Sequence, residues 1–206
     1  MRLEKLYAIL DPSVRSELSV PTIAARLLKG GARWIQYRNK FAAGREMLAD
    51  VATLVRAARA VKARIVVNDR ADVAWLARAH GVHVGQSDLN VRQVRQILGP
   101  RKMVGISTHD LDQALAAANT SATYIALGPI FPTTTKKNPD PTVGLEGLRE
   151  IRKYLAAPIV AIGGITADNA ADVIAAGADS VAVISDLLRA EDISERTRLF
   201  LKVLGK

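Results

Sequence analysis

The sequence of 206 residues contains no cysteine, which excludes disulfides, thiolate metal sites and a Cys-nucleophile mechanism. Aromatic residues make up only 4%, so the core has to be built mainly from Ala, Val, Ile and Leu. No apolar run approaches the roughly 18 residues a membrane helix requires. The run nearest the N-terminus, Leu6 to Leu10, is too short for the apolar region of a signal peptide and ends at Asp11. The expected location is therefore the cytoplasm. Like charges do not cluster either. The net charge of +9, from 29 Lys+Arg against 20 Asp+Glu, is spread along the chain. A basic balance of this kind suits anionic small substrates, nucleic acid or an anionic surface, and charge alone does not choose among them. Arg45, Arg56, Arg59, Lys62 and Arg64 recur with mixed spacing. They read as a solvated helix face, with a non-catalytic RNA-binding barrel as the rival reading.

What the chain does have is regular alternation. Hydrophobic residues reach 49%, in short apolar runs separated by longer Ala-rich periodic stretches. The expected strands are Leu6–Leu10, Trp34–Tyr37, Ile65–Val67, Val82–Val84, Met103–Ile106, Tyr124–Leu127, Ile159–Ile162 and Val181–Ile184. Helices are expected over 20–29, 43–61, 71–79, 90–98, 110–118, 145–155, 167–176 and 187–204. In the second helix Leu48, Val51, Ala52, Val55 and Ala58 share one side, spaced three and four apart. Gly30-Gly31, Gly81 and Gly177 read as helix stops. Strict β/α alternation predicts a parallel sheet with helical crossovers. Eight such units predict a single (β/α)8 TIM barrel domain over residues 1–206, with an open doubly wound sheet as the alternative.

In a barrel of this kind the chemistry gathers where the strands end. After the second strand, Gln36, Arg38 and Lys40 alternate with Tyr37 and Asn39, so the first three face one way while strand geometry lasts. Such an inward row is costly without anionic partners; if the strand ends at Tyr37, Arg38 and Lys40 are merely solvated. Asn68-Asp69 follows the third strand, and Gly85-Gln86-Ser87-Asp88 the fourth. Asp69 and Asp88 from neighbouring strand ends form a candidate Mg²⁺ site, because that ion takes hard oxygen ligands and few protein carboxylates. Taken singly, either Asp reads better as a helix N-cap. Ser107 after the fifth strand can hydrogen-bond a substrate, and Thr108 or Asp110 can cap the next helix.

The connection from Gly128 to Val143 is long for a βα loop and carries Thr133, Thr134, Thr135, Lys136 and Lys137. It reads as an anion-binding lid, or as a solvated basic loop. Gly163-Gly164 and Ile184-Ser185 follow the last two strands, where this fold commonly builds a phosphate site. The rim thus divides into two anion-binding halves. One comprises Gln36, Arg38, Lys40, Asp69, Asp88 and Lys136; the other comprises Thr133, Thr135, Gly164 and Ser185. Two phosphorylated substrates are implied, one a Mg²⁺-bound diphosphate. His83, inside a Val-rich strand, reads as a hydrogen-bonded structural histidine, His80 as a surface residue and His109 as part of a helix start.

These segments resemble the thiamine phosphate synthase family. The matching stretches are Gln36-Tyr37-Arg38-Asn39-Lys40, Asn68-Asp69-Arg70, Gly81 through Leu89, Gly105 through His109, Gly128 through Lys137, Ala161 through Ile165, and Val183-Ile184-Ser185. Asn39 stands where family members often carry an acid, and Tyr37 where an aliphatic residue is frequent. The resemblance implies a transferase in thiamine biosynthesis. It would join 4-amino-5-hydroxymethyl-2-methylpyrimidine diphosphate to a thiazole phosphate, or to its carboxylate with loss of CO₂, and release pyrophosphate. It implies the pyrimidine diphosphate at Gln36, Arg38, Lys40, Asn68, Ser107 and Lys136, within a substrate-binding segment that includes Tyr37 and Asn39. It implies Mg²⁺ at Asp69 and Asp88, and the thiazole phosphate at Thr133, Thr135, Gly164, Ile184 and Ser185. Arg38, Lys40, Ser107 and Lys136 would act on the reacting groups. A thiazole tautomerase-like paralogue would need only the second half; the full set of diphosphate-side residues argues against it. No nucleic acid or membrane partner is expected.

Overall fold

Eight parallel strands close on themselves in sequence order, each hydrogen-bonded to the next and the last to the first. This computed structural model describes residues 3–133 and 140–205. The strands are β1 (Leu6–Leu10), β2 (Trp34–Tyr37), β3 (Arg64–Asn68), β4 (Gly81–Val84), β5 (Met103–Thr108), β6 (Tyr124–Leu127), β7 (Ile159–Ile162) and β8 (Ser180–Val183). The helices are α1 (Val20–Lys29), α2 (Gly44–Arg59), α3 (Ala71–Leu76), α4 (Val91–Leu98), α5 (Leu111–Ala118), α6 (Gly144–Tyr154), α7 (Ala170–Ala175), α8 (Ser185–Leu188) and α9 (Ile193–Val203). The open-sheet alternative is excluded by the β1–β8 pairing, in which Leu6 aligns with Val181 and Ala8 with Val183.

Strand alternation sorts the side chains into two cores. Leu6, Ala8, Leu10, Ile35, Tyr37, Ile65, Val67, Val82 and Val84 point outward and pack beneath the helices. Tyr7, Ile9, Trp34, Val66, Met103, Tyr124, Ala126, Val160 and Ala182 fill the barrel. The outer core is mainly aliphatic, as the composition requires, with Tyr37 and Phe200 its fully buried aromatics. The inner one holds an aromatic cluster: Tyr7 stacks on Trp34 at 3.7 Å between ring centroids, and Tyr124 meets both edge-on. Gly105 makes room for Tyr124, since a Cβ there would lie 2.1 Å from the phenol ring.

Four of the helices start at short polar side chains that accept from exposed backbone N–H groups. Ser19 caps α1, Asn90 forms a reciprocal capping box with Gln93 at α4, Asp110 caps α5 and Asp192 caps α9. Helix α2 buries Met47, Val51, Leu54, Val55 and Ala58, while Leu48 and Ala52 are only half-buried. Its inner face is thus rotated slightly from the expected one. Arg45, Arg56 and Arg59 are exposed on its far side.

Three expectations need correction. The terminal helix is broken into α8 and α9, because Asp192 accepts from Ser194 N and Glu195 N and starts a new helix. Helix α7 begins at Ala170 rather than 167, after a turn in which Asn169 Oδ1 accepts from Thr166 N. Gly81 is not a helix stop: α3 closes at Ala77 and the chain reverses at Arg78, with φ +56°. Gly81 instead opens β4, where a Cβ would lie 2.2 Å from the Met103 carbonyl oxygen. Gly177, with φ +112°, does end α7 as expected. Among the described residues no helix is long and apolar enough to cross a membrane.

Candidate active site

A cavity of about 1260 Å³ opens at the C-terminal ends of the strands. Gln36, Arg38, Lys40, Asn68, Asp69, Asp88, Ser107, Thr133, Gly164, Ile184 and Ser185 all line it. Thr135 and Lys136 lie outside the described residues. Two members of the substrate-binding segment do not reach the cavity. Tyr37 points outward, and its hydroxyl donates to Asp50 Oδ2 on α2 at 2.7 Å. Burial and the Asp50 carboxylate push that phenol's pKa up. Asn39 turns the chain instead: its Oδ1 accepts from Phe41 N and Ala42 N, each at 3.1 Å. Strand alternation turns Gln36 inward and Tyr37 outward; beyond the end of β2, Arg38 and Lys40 reach the cavity from the loop that follows.

The inward row has anionic partners, so Arg38 and Lys40 are not simply solvated. Arg38 Nη1 pairs with Asp11 Oδ2. Asp11 is 1% exposed and also accepts from Ser13 N at 3.0 Å, which pins the carboxylate at the end of β1. Lys40 Nζ pairs with Asp69 Oδ2. Gln36 is 3% exposed, and its Nε2 donates to the Tyr7 hydroxyl at 2.9 Å.

Asp69 and Asp88 are not helix caps. Helix α3 has no side-chain cap, and α4 is capped by Asn90. Asp69 sits at φ +61°, a left-handed conformation that turns its carboxylate inward at the end of β3. Asp88 folds back to accept from Gly85 N at 2.7 Å. The two carboxylates come within reach of one another. Desolvation first, and then Asp88, raise the Asp69 pKa against the opposing pull of Lys40. Two neighbouring carboxylates with only oxygen donors, and a lysine paired with Asp69, suit a hard divalent cation, which would relieve their repulsion. Among the described residues no group of three or more His, Asp or Glu forms a closed metal cage. A Mg²⁺ held here would therefore need oxygens from substrate or water to complete its shell.

The opposite wall is backbone. Gly163 and Gly164 have φ of +100° and +64°. A Cβ on Gly163 would lie 2.5 Å from Pro129, and one on Gly164 would lie 2.6 Å from the Pro132 carbonyl oxygen. The glycines therefore let the strand end turn while the loop from Gly128 closes against it. Ser185 opens α8 beside this turn, next to Asp186, which is paired with Arg196 and accepts from Ala167 N.

The structure adds residues that sequence reasoning overlooked at this site. His83 lines the cavity: it is hydrogen-bonded, as expected, with Nε2 at 2.8 Å from Ser107 Oγ and Nδ1 at 3.1 Å from the Tyr124 hydroxyl. Burial lowers its pKa from 6.5 to about 4, so the imidazole is neutral at pH 7. Tyr7 and Gln86 line the cavity as well, and Gln86 Nε2 donates to the Ser107 carbonyl oxygen. His109 precedes the α5 cap as expected. It also ties the long loop down, through Nδ1 to the Gly128 carbonyl oxygen at 2.6 Å and Nε2 to Asp140 at 3.4 Å. His80 is not a free surface residue, since its Nδ1 accepts from Ile65 N at 3.0 Å. Period-two counting back from Gly85 would have placed His83 inside the barrel, and Asp11 directly follows a strand.

A parallel eight-stranded barrel whose strand C-termini converge polar and charged side chains on one large cavity defines a TIM-barrel enzyme. Comparison with known proteins narrows the class. Residues 6–187 match the family described as thiamine monophosphate synthase. The thiamine-phosphate synthase of Koribacter versatilis is 47% identical, covering 99% of this chain and 97% of its own length. That of Chloroflexus aurantiacus is 42% identical, covering 94% of this chain and 89% of its own. The solved thiamine phosphate pyrophosphorylase from Pyrococcus furiosus superposes with a TM-score of 0.87 at 38% identity, covering 97% of this chain and 95% of that one. The chain belongs to the thiamine monophosphate synthase family, and its activity is that of a transferase of this class.

Proposed function

We propose that the chain, acting as one barrel domain, joins the diphosphate of 4-amino-5-hydroxymethyl-2-methylpyrimidine to a thiazole phosphate or its carboxylate, giving thiamine phosphate and pyrophosphate, with CO₂ released as well when the carboxylate is the substrate. The observation that carries this reading is the two-sided rim of a single cavity. Cationic and carboxylate side chains from β2, β3 and β4 face the glycine turn after β7 and the start of α8. Each half suits one phosphorylated partner, and the cavity volume of about 1260 Å³ has room for both.

In the reaction, the bond between the pyrimidine methylene carbon and the diphosphate oxygen breaks. The thiazole nitrogen forms the new bond to that carbon, and the electron pair of the broken bond leaves with pyrophosphate. Arg38 and Lys40 bind the departing anion, whose charge grows as the bond lengthens. Asp11 holds the Arg38 guanidinium in place for that task. Asp69 and Asp88 would hold Mg²⁺, which supplies charge neutralisation to the diphosphate. Lys136, outside the described residues, is assigned to the leaving group by family resemblance. Ser107, Gln36 and Asn68 orient the pyrimidine. Gly164 with its backbone, Ser185, Ile184, Thr133 and Thr135 take the thiazole phosphate. No protein nucleophile is required; positioning two substrates and excluding water is the main contribution of the barrel. Both substrates are small polar metabolites, so we place the enzyme in the cytoplasm with no nucleic-acid partner.

The test is an assay of thiamine phosphate formation with both synthetic substrates and Mg²⁺. The expected product forms only when both are present, with one pyrophosphate released per turnover. Absence of product, or conversion of a thiazole phosphate alone, would overturn the assignment.

A further inference from the structure

A chain of side-chain hydrogen bonds runs along the cavity floor, with Tyr7 and His83 themselves lining it. Gln36 Nε2 donates to Tyr7 Oη at 2.9 Å, Tyr7 Oη lies 3.0 Å from Tyr124 Oη, and Tyr124 Oη lies 3.1 Å from His83 Nδ1. His83 Nε2 then lies 2.8 Å from Ser107 Oγ. Both ends, Gln36 and Ser107, line the cavity. The three middle residues have no other role in the chemistry described above.

The chain has a direction, because each phenol carries a single proton. Tyr7 Oη accepts from the Gln36 amide, so its own proton passes to Tyr124 Oη. Tyr124 Oη then gives its proton to Nδ1. An uncharged imidazole that accepts at Nδ1 carries its proton on Nε2, and this N–H donates to Ser107 Oγ. Ser107 is left with its own hydroxyl proton directed at the cavity. At the other end, Gln36 has committed its nitrogen to Tyr7 and presents Oε1. The room for Tyr124 made by Gly105 keeps the middle of the chain in contact.

We propose that Tyr7, Tyr124 and His83 are positioning residues that fix the polarity of the cavity floor, with an acceptor at Gln36 and a donor at Ser107. Such a floor selects a heterocycle that offers an N–H donor beside a ring-nitrogen acceptor. An aminopyrimidine has that pattern; the corresponding pyrimidinone, with a carbonyl in place of the amine, reverses it. This specificity claim rests on the pyrimidine half of the proposed function, whereas the direction of the chain does not.

Nitrogen-15 NMR of the histidine rings in the ligand-free protein reads the direction at once. The expected result is His83 protonated at Nε2. A proton on Nδ1 would overturn the proposal without any variant having to fold. Gln36→Glu supplies the active test, since a carboxylate only accepts and would draw the Tyr7 proton toward position 36. Every link then reverses, and the His83 proton should move from Nε2 to Nδ1. Adding Tyr7→Phe cuts the link and should return it to Nε2. An unchanged tautomer in folded Gln36→Glu protein overturns the chain. Calorimetry then tests selectivity with 4-amino-5-hydroxymethyl-2-methylpyrimidine and its 4-oxo analogue. The wild-type protein should prefer the amine by about tenfold or more, the equivalent of one well-made hydrogen bond, and Tyr124→Phe should erase most of that preference. If the tautomers behave as expected but neither pyrimidine binds, the chain stands, while the selectivity claim and the placement of the pyrimidine fail together.

Discussion

Replacing His83 by glutamine gives a direct measure of what the barrel withholds from that imidazole. The folded protein holds the pKa at about 4, and the unfolded chain restores it to about 6.5. A base with a lowered folded pKa binds fewer protons when folded than when unfolded. The stability it leaves intact is therefore complete above pH 6.5 and is lost as the pH falls from there to about 4. Each pH unit in that window costs about 1.4 kcal/mol, so the difference between pH 7 and pH 5 is about 2 kcal/mol. Over the whole window the loss is about 3 kcal/mol. Glutamine does not titrate, so the His83→Gln protein should lack this component. Other groups move too: burial lowers His80 as well, and Asp69 is raised, which acts in the opposite sense. They are shared by the two proteins and cancel in the comparison. Urea unfolding of both at pH 7 and pH 5 is the assay. Wild type should lose about 2 kcal/mol more than the variant between the two pH values. An identical pH dependence would mean that the folded barrel protonates His83 freely, and the desolvation argument would be refuted.

Three further outcomes follow from the site. Asp11→Ala should cost about 2–3 kcal/mol, since it strips Arg38 of a largely buried partner, whereas Glu146→Ala, which breaks the exposed pair with Arg149, should leave the urea midpoint unchanged. Gly105→Ala should destabilise the fold by about 3 kcal/mol or more, because its methyl would collide with the Tyr124 ring; a thermal melt equal to wild type would contradict the packing. Excess EDTA should reduce turnover by roughly 10²-fold or more, with recovery on adding Mg²⁺, as expected when a cation balances several kcal/mol of leaving-group charge; full activity in chelator would remove the metal from Asp69 and Asp88.

Much of this was already determined by the amino-acid sequence. The eight apolar runs and the Ala-rich stretches between them are local patterns, and a barrel follows from their number and order. The rim residues were legible too: once the strand ends are known, alternation puts Gln36, Arg38 and Lys40 on one face, and Asn68-Asp69 and Gly163-Gly164 at the mouth. Tertiary structure decided what depends on neighbours distant in the chain. Asp69 and Asp88 carried the signature of helix caps, and only the left-handed turn at Asp69 and the fold-back of Asp88 onto Gly85 brought them together. Asp11 looked like no more than the end of an apolar run until Arg38, 27 residues later, was paired with it. His83 read as one polar residue in a Val-rich strand. Its place between Tyr124 of β6 and Ser107 of β5 exists only because β4, β5 and β6 pair side by side. Periodicity reports which face a side chain takes. Which partners wait on that face is set by the pairing and register of neighbouring strands, which the residues of one strand alone do not fix.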